Sequence, residues 1–193
     1  MNSALVILDM QNYFFRTPEK RAAYPSLIRS LNELVAAFDR TGGFRIYNVV
    51  SVHKADRSTW SRNMLRNNAG CLIEGTEDAA VVDDLQLGGK PVTVPKTRHS
   101  AFLRTDLERR LRADGVERVA LAGVYTHGCV ALSAVDAWSL DFDVAVAADC
   151  VFSHRRDLAD FCVERLRNML KIDFLTNDFI LQNWISQAEN GAR

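Results

Sequence analysis

The sequence is short of several things that would settle its class at once. Cysteine is scarce: 193 residues hold only Cys71, Cys129, Cys150 and Cys162, scattered singly with no CxxC pair. That excludes a disulfide-stapled small domain and a paired-thiolate zinc ribbon. No apolar run approaches the roughly 20 residues that a helix needs to span a bilayer. Neither sign of charge is in excess, because 24 Lys and Arg balance 24 Asp and Glu. A non-specific nucleic-acid binder carries a basic surplus, and this chain has none. The opening stretch, MNSALVILDMQNYFF, places no basic residues ahead of its short apolar run, whereas a secretory leader has them. The expectation is a cytoplasmic protein with reduced thiols, bound to neither membrane nor nucleic acid.

What is present describes one globular unit. A hydrophobic content of 48% supplies a sizeable core, and the length fits a single domain over residues 1–193. Short apolar runs alternate with helical patterns. ALVIL (Ala4–Leu8), FRIYNVVSV (Phe44–Val52), PVTVPK (Pro91–Lys96), RVALAGV (Arg118–Val124), DVAVAAD (Asp143–Asp149) and IDFLT (Ile172–Thr176) read as strands. Helices are expected over Pro25–Arg40, Thr105–Ala113, from Cys129 to Trp138, from about Arg155 to Leu170 and from about Asn177 to Ala188. Thr105 with Glu108 forms a capping-box pattern. Pro95 should cut the third strand short, His53–Asn68 reads as a polar loop or lid, and Glu77–Leu85 is a short helix at best. Strand-helix alternation implies a parallel sheet covered on both faces, a three-layer α/β/α domain.

Ligands of such sheets gather outside the carboxyl ends of the strands. The residues there are Asp9, then Ser51 and His53, Lys96, Thr126 to Cys129, and Asp149 to Ser153. Cys129 stands at the first turn of a helix, where unpaired N–H groups and the helix dipole favour an anion. Its thiol pKa is therefore expected to fall, the more so with Lys96 nearby. An aspartate within reach could take the thiol proton and later hand it to a leaving group. Cys71, Cys150 and Cys162 have no such setting and read as packing.

Three segments carry a resemblance. VILDMQNYFF around Asp9, PKTRHSAFLRTDL around Lys96 and LAGVYTHGCVALSAVDAW around Cys129 resemble, in order and spacing, the signature segments of the isochorismatase-like hydrolases, a cysteine hydrolase superfamily. IEGTEDAAVVDDL (Ile73–Leu85) resembles the segment that precedes the lysine strand, so the likeness covers nearly the whole chain. It implies a six-stranded parallel sheet of Rossmann-like fold and a catalytic triad of Asp9, Lys96 and Cys129. It also implies a non-proline cis peptide at Val124-Tyr125 and an oxyanion hole made by the N–H groups of Tyr125 and Cys129. A small-molecule substrate and a dimer or tetramer follow from the same resemblance.

Nicotinamidases of this superfamily carry a metal site that begins Asp-x-His after the second strand. Here Ser51 replaces the Asp and His53 stands alone, so neither metal nor other cofactor is expected. Phe14, Trp60 and Tyr125 are the candidate apolar walls of a substrate pocket, with His127 either structural or facing the substrate. Lys54, Arg57, Arg62 and Arg66 form either a solvated surface or a lid that attracts a carboxylate. His99 and His154 carry no signal.

The resemblance leaves three functions open. The first is hydrolysis of a C–N bond in a small amide through a Cys129 thioester, with Asp9 protonating the amine and then activating water. The second is cleavage of the vinyl ether of isochorismate, in which protonation by Asp9 is the central act. DMQNYF, KTRHSAFLRTDL and GVYTH resemble isochorismate-processing members, while the spacing Thr-His-Gly-Cys-Val resembles the amidase branch. The third is a binding protein that kept the fold and lost catalysis.

Overall fold

In the computed structural model, which describes residues 1–186 and 188, six apolar runs assemble into one parallel sheet. Its strands are β1 (Ser3–Leu8), β2 (Arg45–Ser51), β3 (Val92–Lys96), β4 (Arg118–Val124), β5 (Asp143–Phe152) and β6 (Asp173–Leu175). Their spatial order is β3-β2-β1-β4-β5-β6, with every neighbouring pair parallel. The central strand β1 is buried along its whole length, which explains a run that is continuous rather than alternating. After β3 the chain returns to the other side of β1. The crevice beyond the carboxyl ends of β1 and β4 is thus the topological switch point, where such sheets bind ligands.

Among the described residues the helices are α1 (Pro18–Arg40), α2 (Arg62–Asn67), α3 (Leu107–Ala113), α4 (Ala131–Ser139), α5 (Arg156–Leu170) and α6 (Asn177–Ile180), and all but α2, which buries no residue, cover the faces of the sheet. Successive β1 residues point to opposite faces. Leu5 and Ile7 pack with Leu31, Leu34 and Phe38 of α1 and Ile180 of α6. Val6 and Leu8 pack with Leu107 and Leu111 of α3, Ala134 of α4 and Leu166 of α5. These two cores make the three-layer α/β/α architecture that the strand-helix alternation implied.

Several boundaries differ from expectation. Helix α1 begins at Pro18 and carries Pro25 inside it; its buried residues start only at Leu27. The first turns therefore lack the apolar periodicity that marks a helix, and Pro18 needs no N–H at the first helical position. The proposed capping box does not form. Helix α3 starts at Leu107, and the Thr105 hydroxyl donates to the Ala101 carbonyl at 2.5 Å. Pro95 lies within β3 rather than ending it, because β3 is an edge strand where a missing N–H is tolerated.

The segment Glu77–Leu85 holds one turn, Glu77–Ala79, and an isolated bridge from Val81 to Gln11. The basic loop contains α2, whose first turn is capped by the Ser61 hydroxyl accepting from the Met64 N–H at 3.2 Å. The C-terminal helix opens at Asn177 as expected, capped by Thr176; its expected span includes Gln187, outside the described residues. Among the described residues no helix is long and apolar enough to cross a membrane.

Candidate active site

Where β1 ends, Asp9 takes a left-handed φ of 57°, a conformation that Asp tolerates better than most residues. Its N–H donates to the Val49 carbonyl at 2.9 Å, and its side chain is fully buried. On the neighbouring strands Ser51 and Lys96 lie in register, so both side chains emerge beside that carboxylate. The Ser51 hydroxyl donates to Asp9 Oδ1 at 2.8 Å. Lys96 Nζ lies 2.8 Å from Asp9 Oδ2 and donates to Ser51 Oγ at 2.8 Å and to the Arg98 carbonyl at 3.1 Å. A buried ion pair costs desolvation at both ends and persists when its remaining polar atoms are also satisfied. Burial alone would lower the Lys96 pKa, but Asp9 and then Cys129 outweigh it and hold the ammonium above its ordinary range.

Strand β4 delivers the third residue. Gly123, at φ 103°, lies against β1 so closely that a Cβ there would stand 2.1 Å from the Leu8 carbonyl oxygen; only glycine fits. The Val124-Tyr125 peptide is cis. The chain then makes one wide turn over Thr126–Val130 before α4 begins at Ala131. The N–H groups of Gly128 and Val130 both reach the Tyr125 carbonyl, at 2.9 and 3.3 Å. Cys129 Sγ comes to rest 3.4 Å from Lys96 Nζ and 3.7 Å from His99 Nδ1.

The thiol is not depressed as its place in the sequence suggested. Burial, and then the charge of Asp9, push the Cys129 pKa up to about 12, while Lys96 pulls the other way. Burial and the charge of Asp9 thus favour the thiol over the thiolate. The backbone also departs from the expected helix start: Gly128 interrupts the helix with φ −119° and ψ −108°, so Cys129 sits in a kinked turn.

A cavity of about 300 Å³ opens over the sulfur. Its lining includes Phe14, His53, Met64, Arg98 and His99, together with Lys96 and Cys129 themselves. Trp60 does not line this space: its indole N–H donates to the Lys54 carbonyl at 3.0 Å. Its ring lies over Gly70, where a Cβ would come within 2.4 Å of it, so it pins the loop instead.

The Tyr125 and His127 side chains also turn away. The Tyr125 hydroxyl donates to the Phe14 carbonyl at 2.7 Å, His127 Nδ1 contacts Ser153 Oγ at 2.6 Å, and both rings pack on His154. Lys54, Arg57, Arg62 and Arg66 are all exposed. The arginine that lines the cavity is Arg98, held by the Thr59 carbonyl at 3.1 Å. A larger groove of about 610 Å³ lies around Phe38, Arg45 and Asp114, at the opposite, amino edge of the sheet and away from the reactive groups.

Two buried polar residues complete the site. Ser51, at the end of β2, bridges Asp9 to Lys96. Gln11 is a functional residue that the sequence marks only weakly, as a polar residue next to a buried strand end. Its amide brackets Ser51, accepting the Ser51 N–H at 2.8 Å and donating to the Ser51 carbonyl at 2.9 Å. The residues do not suit a nicotinamidase-like metal. Ser51 Oγ is committed to the Asp9–Lys96 pair and His53 Nδ1 to the Thr59 carbonyl at 3.2 Å. Among the described residues no group of three or more His, Cys, Asp or Glu side chains could hold a metal ion.

Similarity to known proteins identifies the family and the fold. A family model described as the isochorismatase domain matches residues 3–176. A probable inactive nicotinamidase of Arabidopsis thaliana is 33% identical over 162 residues, covering 77% of this chain and 79% of its own. A maleamate amidohydrolase of Pseudomonas putida is 30% identical over 163 residues, covering 80% of this chain and 74% of its own. Among solved structures, an isochorismatase family protein from Desulfovibrio vulgaris superposes with a TM-score of 0.80 at 28% identity, covering 99% of this chain and 98% of its own.

Proposed function

The chain belongs to the isochorismatase family, and from that premise we propose that it hydrolyses the C–N bond of a small amide through a thioester on Cys129. The observation that carries this reading is a single cluster: a buried Asp9–Lys96 pair at 2.8 Å, with the thiol 3.4 Å from the same ammonium and a cavity above it. Asp9 takes the thiol proton as the sulfur attacks the carbonyl, so charge is never left on an unattended thiolate. Lys96 offsets the negative charge that the two groups share. The N–H groups of Tyr125 and Cys129 are assigned to the tetrahedral oxyanion. Protonated Asp9 then gives its proton to the departing amine as the C–N bond breaks, and water releases the acid from the thioester.

The cavity suits a compact amide that also carries a carboxylate, with Arg98 as the cation in its wall. The relative named for maleamate supports that substrate class. Vinyl ether cleavage is the second reading, favoured by the isochorismatase description of the matching model and by the segments around Asp9 and Lys96. It needs a carboxyl group that supplies a proton, whereas Asp9 is ion-paired with Lys96 and arranged to accept one. The Arabidopsis relative named as inactive keeps the third reading, a silent binding protein, within the same assay.

That assay is a panel of small amides, maleamate included, together with isochorismate, run on the wild type and on Cys129→Ala. Amide turnover that vanishes in the variant is the expected result. Isochorismate turnover undiminished by Cys129→Ala selects the vinyl ether reading, and no turnover of any member selects the binding protein.

A further inference from the structure

The cavity over Cys129 holds a buried side chain that the thioester steps do not use. His53 lies two residues past Ser51 and is only 6% exposed. Its Nδ1 stands 3.2 Å from the Thr59 carbonyl oxygen; a carbonyl oxygen only accepts, so Nδ1 carries the ring hydrogen. The neutral imidazole then keeps its lone pair on Nε2. Burial lowers the His53 pKa, the Thr59 hydrogen bond opposes this, and the charges of Arg98 and Lys96 add to the lowering. The neutral ring is therefore favoured. Among the described residues Nε2 has no hydrogen-bond partner. It is not sealed off either, so it opens on the cavity that His53 lines. Donors in the wall are engaged elsewhere: Lys96 Nζ with Asp9, Ser51 and the Arg98 carbonyl, and Arg98 Nη1 with the Thr59 and Thr97 carbonyls. A buried acceptor left without a donor costs free energy until a ligand supplies one.

We propose that His53 is a specificity-determining residue, whose Nε2 accepts a hydrogen bond from the –NH2 group of the substrate amide. The proposal rests on the thioester reading and deepens it, by naming a primary amide, rather than an ester or an N,N-disubstituted amide, as what the cavity selects. The Thr59 carbonyl that holds His53 also accepts from Arg98 Nη1 at 3.1 Å. One backbone oxygen thus fixes both the acceptor for the amide N–H and the cation assigned to the carboxylate. Of the two hydrogens on the amide nitrogen, one meets Nε2. Once the sulfur has added to the carbonyl carbon, that nitrogen holds a free lone pair, which takes the proton from Asp9 as the C–N bond breaks. Ammonia leaves, and His53 neither gains nor loses a proton. An ester oxygen in the same place has no hydrogen to offer and sets its lone pairs against that of Nε2. The role depends on the loop fold that brings Thr59 to Nδ1, so the sequence shows only a lone histidine.

The test compares maleamate with monomethyl maleate. The two differ only in –NH2 against –OCH3 and leave the same acyl group on Cys129, so a difference between them arises before that group is released. The measurement is kcat/KM for both compounds on the wild type, His53→Leu and His53→Gln. His53→Leu should lose about 10-fold or more on maleamate, the equivalent of one hydrogen bond, and little on the ester. His53→Gln, whose amide can donate to Thr59 and still present an acceptor, should keep an amide-to-ester ratio near that of the wild type. Damage to the loop alone lowers both substrates together. Equal losses on the two compounds in His53→Leu therefore overturn the role of His53, as does a ratio in His53→Gln no better than that in His53→Leu. A wild type that leaves maleamate intact overturns the amide reading, and this proposal with it.

Discussion

Each member of the buried cluster is set by its neighbours, and Cys129 shows this most directly. Burial and the Asp9 charge hold its thiol at about 12, well above the roughly 8.5 of a free cysteine. In the ligand-free protein, the iodoacetamide alkylation rate at Cys129, followed by peptide mass spectrometry, should keep climbing with pH to about 12. A plateau near that free-cysteine value would show that the thiolate forms without substrate. Lys96→Met removes the cation paired with the fully buried Asp9 carboxylate. Loss of one partner of a buried pair costs about 3–5 kcal/mol, measurable as a lower urea midpoint.

The sign of the pH dependence follows from the raised Lys96 pKa. Its contribution is complete below the unfolded value, about 10.4, and is lost as pH rises through the higher folded value. The stability gap between wild type and Lys96→Met should therefore narrow only in strong alkali. A gap unchanged there, or no gap at neutral pH, contradicts the ion-pair account.

Elements position these residues, and the tightest constraint falls where Gly123 of β4 pairs with Leu8 of β1. Gly123→Ala brings a methyl group to 2.1 Å from the Leu8 oxygen at a φ of 103°. Backbone strain and overpacking together should cost about 2–6 kcal/mol and displace the turn that carries Cys129. Gly42→Ala is the control, since a Cβ there meets nothing within 4 Å and should leave the melting temperature nearly unchanged. Equal melting temperatures for the two variants would contradict this contact.

The same element scale separates what the sequence discloses from what it hides. The runs ALVIL and RVALAGV announce buried parallel strands because both their faces are covered. Asp9 and Cys129 follow from those strands and Lys96 from β3, since each lies at or just past a carboxyl end. The roles of Ser51 and Gln11 depend on the β2-β3 register and on a buried amide that brackets it, which no local pattern encodes. Trp60, Tyr125 and His127 were placed by proximity in sequence. A side chain's direction after a kink or inside a loop is set by tertiary hydrogen bonds, here to Lys54, Phe14 and Ser153.

Over the whole molecule, the strand order β3-β2-β1-β4-β5-β6 turns three distant stretches of sequence into one site. β1 and β4 are neighbours at the switch point and deliver Asp9 and Cys129, while β3, beyond β2, sends Lys96 across Ser51 to both. A cavity of about 300 Å³ over this junction admits one small molecule, at the lower end of the range for ligand pockets, about 300–1,000 Å³. The sheet thus brings Cys129, Asp9 and Lys96, the proposed nucleophile, base and cation, together at one edge, with His99 in the loop after β3 lining the cavity.

The central claim is the covalent bond between Cys129 and the acyl half of an amide. The most direct measurement is mass spectrometry of the wild-type protein quenched with acid during a single turnover of maleamate, paired with the rate of Cys129→Ala on the same amide. The account predicts an acyl mass increment located on Cys129 and no turnover in the variant. Turnover of maleamate by Cys129→Ala at the wild-type rate, with no adduct on the wild-type thiol, would contradict it.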